Sequence, residues 1–232
     1  MDLPIITAHS GCEKTLANSM ENIKKAIQLN VEYVEIDVRH TKDHIAVLSH
    51  DDEIGGICIS ESNLNELKKY NIVTYEEAVD LIIKSGKKVN SDIKTMESIE
   101  LISTYIMNNE LCEKVILSGC KEKEISYLTE NYPEIRKLFN IDILMEEDLS
   151  FEEKMNRTIM LHRQNHLQGV NIPYYQLSDE VLQIMKDQGI ETYVWTIDTE
   201  ELMRRFVNKG VKSITTNEVV LLEKVKNEEA FR

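Results

Sequence analysis

Lys88-Val89-Asn90-Ser91-Asp92-Ile93 reads as a short strand, Thr95–Met107 after it as a helix, and Lys114-Val115-Ile116-Leu117 as a second strand. Parallel neighbours in a sheet need a crossover, and a helix between two short strands is the usual one. Outward from this unit the same alternation recurs. Strands are expected at Ile5–Ala8, Tyr33–Val38, Lys137–Asp142, Gly169–Ile172, Glu191–Ile197 and Ser213–Thr216. Helices are expected at Thr15–Leu29 (apolar Leu16, Met20, Ile23 and Ile27), Thr74–Lys84, Glu122–Asn131, Phe151–His166, Ser178–Gln188, Thr199–Asn208 and Val219–Lys226. Thr74 with Glu77 three residues on forms a capping-box pattern, and Gly189 and Gly210 close two of the helices.

Leaving aside a short extra strand at Ile45–Ser49, this makes eight strands, most followed by a helix. A closed α/β barrel of the (β/α)8 or TIM type is the natural form for eight such units. A doubly wound open sheet is the competing layout, which periodicity alone does not separate from it. The chain has 232 residues, and a one-domain barrel takes about 200–250, so a single domain over 1–232 is expected. Asp51–Asn71 is the longest non-periodic stretch and is expected to form a small flap after the second strand.

The formal net charge is −14, which argues against nucleic acid, since a phosphate backbone is bound through Lys and Arg. An anionic substrate would need a local positive centre, and a bound metal ion can supply one. Cys12, Cys58, Cys112 and Cys120 follow no zinc spacing and are expected to be reduced. The start, Met1-Asp2-Leu3-Pro4, has no secretory pattern, and no apolar run is long enough for a transmembrane segment. A cytoplasmic location is expected.

In a parallel barrel the reactive groups lie at the carboxyl ends of the strands. His9 follows the first strand, Glu35 and Asp37 lie on the second, and His50 follows the short extra strand. Asp92 and Lys94 end the third, and Trp195 lies on the seventh. Glu35 and Asp37 are two apart, so they point to one face of their strand. Two carboxylates held together repel unless a proton or cation relieves them. With Asp92 on the adjacent strand they form an all-oxygen set suited to one divalent cation, Mg²⁺ or Ca²⁺. His9 and His50 would flank the ion as general acid and base.

These residues resemble the motifs of the glycerophosphodiester phosphodiesterase family over essentially the whole chain. His9-Ser10-Gly11 is similar to the family's His-Arg-Gly, and Glu35-Ile36-Asp37 to its Glu-x-Asp strand. Thr41-Lys42-Asp43 and His50-Asp51 match its Thr-x-Asp-Gly and His-Asp. Asp92-Ile93-Lys94 resembles Glu-x-Lys, Trp195-Thr196 the late Trp-Thr, and Thr216-Asn217 the Thr-Asp ending. The resemblance implies a (β/α)8 barrel with one divalent ion on Glu35, Asp37 and Asp92. It also implies acid–base catalysis by His9 and His50 on a small phosphodiester substrate. The substrate's own neighbouring hydroxyl would attack phosphorus, and water would open the resulting cyclic phosphate to glycerol phosphate. Lys94, Ser10 and Trp195 would contact the substrate, Lys94 by its charge and Trp195 as an apolar wall.

Three positions depart from the family. Ser10 stands for its Arg, Ala17 for the Glu of its Glu-Asn-Thr, and Asp92 for its third metal Glu. Arg and Glu lost together leave neither charge unpaired. Asp-x-Lys is similar to the related phospholipase D toxins, so a lysophospholipid or sphingolipid substrate giving a cyclic phosphate is the alternative. A catalytically inactive binding barrel is the third possibility that these departures raise.

Overall fold

The computed structural model describes residues 3–141 and 149–230. Its strands are β1 (Ile5–Ala8), β2 (Tyr33–His40), β3 (Ala46–Leu48), β4 (Glu53–Ile54), β5 (Ile57–Cys58), β6 (Lys88–Ile93), β7 (Val115–Cys120), β8 (Arg136–Asn140), β9 (Gly169–Pro173), β10 (Glu191–Trp195) and β11 (Ser213–Thr216). The α-helices are α1 (Met20–Ala26), α2 (Leu64–Leu67), α3 (Tyr75–Lys84), α4 (Met96–Asn108), α5 (Glu122–Asn131), α6 (Phe151–Asn165), α7 (Asp179–Asp187), α8 (Glu200–Val207) and α9 (Val219–Ala230).

The parallel strands run in the order β1-β11-β10-β9-β8-β7-β6-β2, and a β1–β2 pairing joins the two ends. That pairing closes the barrel and rules out the open sheet. Successive residues on a strand face opposite sides. Tyr33, Ile116, Leu138 and Tyr193 fill the barrel interior. Val34, Ile36, Leu117, Ile172, Val194 and Ile214 belong to the larger core under the helices. Each such aliphatic side chain contributes about 1.5–3 kcal/mol on full burial.

Register fixes what meets what at the carboxyl ends. Asp37 lies abreast of Asp92, and Asp92 abreast of Ser118. Beyond the barrel wall, β2 continues to His40 and pairs antiparallel with β3. This pairing explains the short extra strand and delivers His50 to the rim. The expected flap is folded: β4 and β5 form a hairpin, and Val47, Ile59 and Leu67 make a small core of their own beneath it.

Several boundaries differ from expectation: β7 runs on to Cys120, β10 stops at Trp195 and α9 reaches Ala230. The first helix starts at Met20, not near Thr15, because Asn18 has φ 56° and Ser19 is the N-cap, its Oγ accepting from Asn22 N–H. Leu16, which suggested the earlier start, is 73% exposed. The strand expected at Lys137–Asp142 spans Arg136–Asn140, and Asp142 lies outside the described residues. All four cysteines are free, two of them buried. Among the described residues no helix is long and apolar enough to cross a membrane.

Candidate active site

A cavity of ≈ 270 Å³ opens at the carboxyl end of the barrel. Its lining brings together His9, Glu35, Asp37, His50, Asp92, Lys94 and Trp195, and adds Asn90, Ser118, Asn140 and Asn171. Ser10 is the exception among the expected residues. It is 2% exposed, and its hydroxyl donates to Asp37 Oδ2 at 2.8 Å, beneath the carboxylates.

Glu35, Asp37 and Asp92 each offer an oxygen, and these oxygens all lie within 4.8 Å of one another. Glu35 Oε2 accepts from Ser10 N–H at 2.7 Å. Asn18 grips Asp37 twice: its Nδ2 donates to Asp37 Oδ2 at 2.6 Å, and its Oδ1 accepts from Asp37 N–H at 3.0 Å. Ser118 Oγ donates to Asp92 Oδ1 at 3.0 Å. The Lys94 ammonium bridges Asp37 at 2.8 Å and Asp92 at 2.5 Å.

The electrostatics show what this arrangement costs. Burial, then the charges of Asp37 and Asp92, push the Glu35 carboxyl well above its usual range. Burial would raise Asp37 too. The Lys94 charge and the hydrogen bonds from Lys94, Asn18 and Ser10 outweigh it and hold Asp37 low. Burial disfavours the Lys94 charge, but Asp92 and Asp37 together raise its pKa above the ordinary lysine value. One ammonium therefore serves two of three carboxylates. A divalent cation would relieve the repulsion left on Glu35, and the three carboxylates are an all-oxygen donor set of the kind hard cations take.

The two histidines are oriented by partners whose chemistry assigns the ring protons. Asn217 Nδ2 donates to Asp198 Oδ2 at 2.9 Å, so its Oδ1 is the atom 3.0 Å from His9 Nδ1. An amide oxygen only accepts, so His9 Nδ1 carries the hydrogen. His50 Nδ1 lies 2.8 Å from the Asp51 carboxylate and is a donor for the same reason. Neither Nε2 has a hydrogen-bond partner among the described residues.

Asn18, Asn217, Asp198, Asn140 and Asn171 were not singled out as site residues by sequence reasoning. Asn18 and Asn217 lie inside motifs that were matched. The other three carry no sequence signal beyond a position at or near a strand end.

The family model of the glycerophosphoryl diester phosphodiesterase family matches residues 9–221. A glycerophosphodiester phosphodiesterase of Caldanaerobacter subterraneus subsp. tengcongensis is 24% identical over 92% of this chain and 94% of its own length. Among solved structures, a glycerophosphodiester phosphodiesterase from Thermotoga maritima superposes with a TM-score of 0.78 at 23% identity, covering 100% of both chains. A phosphodiesterase of Oleispira antarctica, solved with the product sn-glycerol-3-phosphate, gives 0.81 at 20% identity over 97% of each chain. With its match running from the first barrel histidine into the last helix, the chain belongs to the glycerophosphoryl diester phosphodiesterase family.

Proposed function

We propose that this one-domain barrel hydrolyses a small glycerophosphodiester to an alcohol and glycerol phosphate, using one divalent cation, Mg²⁺ or Ca²⁺, on Glu35, Asp37 and Asp92. The observation that carries the reading is a single cavity lined by both histidines and by three carboxylates whose oxygens lie within 4.8 Å of one another. When bound, the ion supplies polarisation of the phosphoryl oxygens.

One histidine Nε2 takes the proton of the glycerol hydroxyl next to the phosphate as that oxygen bonds to phosphorus. The other gives its proton to the alcohol oxygen as the bond from phosphorus to that oxygen breaks. The product of this step is a cyclic phosphate. In the second step the roles reverse: water adds to phosphorus, the ring P–O bond breaks, and glycerol phosphate leaves. Lys94, held charged, stabilises the added negative charge on the phosphoryl group. Trp195 walls the cavity against the carbon skeleton.

The test is turnover of glycerophosphocholine with Mg²⁺, Ca²⁺ or Mn²⁺, followed by ³¹P NMR. Chelation, His9→Ala and His50→Ala each abolish turnover while the fold is kept. An open glycerol phosphate product supports hydrolysis, and a persisting cyclic phosphate supports the phospholipase D-like alternative. Wild-type rates in either histidine variant would overturn the acid–base assignment. No turnover with any ion would leave the barrel as a binding protein.

A further inference from the structure

The cavity wall built by β7, β8 and β9 carries amides. Asn140 ends β8, and Asn171 lies abreast of it on β9. Their orientation is set by an irregularity in β7, whose register shifts between Leu117 and Cys120. Gly119 lies in that shift at φ +73°, where a Cβ would stand 2.4 Å from Ile93 O and 2.6 Å from Asp92 Oδ1. Only glycine fits there. Its N–H turns to Asn140 and donates to Oδ1 at 2.9 Å. A backbone N–H requires an acceptor, so the Asn140 amide has one possible orientation. Asn171 Nδ2 donates to the same oxygen at 3.2 Å, which fixes the second amide in turn.

Two groups are left over, the Asn140 NH₂ donor and the Asn171 Oδ1 acceptor. Neither has a protein partner among the described residues, neither is enclosed, and both residues line the cavity. A donor beside an acceptor matches a hydroxyl, which is both at once. An alkyl chain would desolvate both amide groups and satisfy neither. An ionised phosphate, which only accepts, would face the Asn171 oxygen unfavourably.

Resting on the reading that this cavity cleaves a glycerophosphodiester, we propose that Asn140 and Asn171 bind the terminal hydroxyl of an unacylated glycerol arm. This is the hydroxyl that does not attack phosphorus. The amide pair thereby selects deacylated glycerophosphodiesters over lysophospholipids, in which that oxygen is esterified. Asn171 and Asn140 are specificity-determining residues, and Gly119 is the positioning residue behind them.

The experiment compares glycerophosphocholine with two substrates that keep the attacking hydroxyl. These are 2-hydroxypropyl phosphocholine, which lacks the terminal hydroxyl, and a monomeric short-chain 1-acyl lysophosphatidylcholine. The wild-type kcat/KM is expected to fall by at least about 10²-fold on both, because a site built to bond a hydroxyl rejects an analogue without it. Asn171→Leu collapses the ratio between glycerophosphocholine and the hydroxypropyl analogue. Asn140→Asp keeps the oxygen that Gly119 and Asn171 need and exchanges the donor for a charged acceptor; because the readout is a ratio between two substrates of equal charge, it decides the matter where Asn171→Leu fails to fold. Equal wild-type rates on the three substrates, or an unchanged ratio in a folded variant, would overturn the proposal. Calorimetry with glycerol 3-phosphate and 2-hydroxypropyl phosphate separates this from a failure of the hydrolytic reading. Without any turnover, a preference for glycerol 3-phosphate of about tenfold that Asn171→Leu abolishes keeps the amide pair and removes the hydrolase. Equal binding of the two overturns the pair.

Discussion

Ser10 Oγ and Asn18 Nδ2 both donate to Asp37 Oδ2, at 2.8 Å and 2.6 Å. Two neutral donors thus occupy one oxygen of Asp37, and Oδ1 is the atom turned to Lys94. Where the family motif has an Arg, this chain holds a small donor beneath the three carboxylates. Ser10→Ala and Asn18→Ala are therefore expected to weaken divalent-ion affinity by about 10–100-fold, as loss of groups that orient metal ligands does. Calorimetric titration with Ca²⁺ and Mn²⁺ measures this without reference to turnover. Unchanged affinity in both variants would reduce the clamp to packing. Ser10→Arg is not expected to restore a phosphate ligand, because a site 2% exposed has no room for a guanidinium that would compete with the ion for Asp37.

Glu35 illustrates an opposition between function and stability. Burial and its carboxylate neighbours raise its pKa in the folded, metal-free protein. A carboxyl with a raised folded pKa contributes its stability at low pH, and loses it as pH rises through the folded value. Metal-free wild-type protein should therefore lose stability toward neutral pH in the window where Glu35 gives up its proton. Glu35→Gln removes that loss. Its melting temperature in EDTA at neutral pH is expected to exceed wild type by about 2–4 °C for each kcal/mol relieved. The variant should gain little on adding Ca²⁺ or Mg²⁺, whereas the wild type gains stability by mass action. Parallel melting curves of the two proteins from acid to neutral pH would count against the carboxylate strain.

Much of this site is legible one residue at a time. His9, Asp92 and Lys94 are visible because a parallel barrel puts its chemistry at strand ends. Glu35 and Asp37 are visible because period two puts them on one face. The start of α1 departs from the helical spacing because Leu16, which fits that spacing, stands 73% exposed. The chain there is occupied in turning Asn18, at φ 56°, onto Asp37, a contact across nineteen residues that no local pattern encodes. The flap showed no period because its apolar residues, Ile54, Ile57 and Leu67, are shared among two-residue strands and a single helical turn. Asn140 and Asn171 were silent for another reason. An asparagine at a strand end is an ordinary turn residue, and it acquires meaning only from Gly119 N–H in the displaced register of β7.

The chain from Asp198 through Asn217 to His9 predicts a paired exchange. Asp198 accepts from Asn217 N–H at 2.7 Å and from Asn217 Nδ2 at 2.9 Å, which leaves Asn217 Oδ1 to hold His9 Nδ1–H at 3.0 Å. Asn217→Leu removes the acceptor, frees the ring to take the wrong tautomer, and is expected to lower kcat by about 10²-fold or more with KM little changed. Asn217→Asp alone matches the family's Thr-Asp ending but sets its new carboxylate against Asp198. The two would repel across about 3 Å, so this variant should lose stability toward neutral pH. Adding Asp198→Asn reverses donor and acceptor along the chain and keeps a partner for His9, so the double variant should recover most of the lost kcat. Stopped assays on glycerophosphocholine, with melting curves for each variant, read both effects. If kcat of the double variant is no better than that of Asn217→Leu, the orienting role of Asn217 fails, whatever the fate of His9 itself.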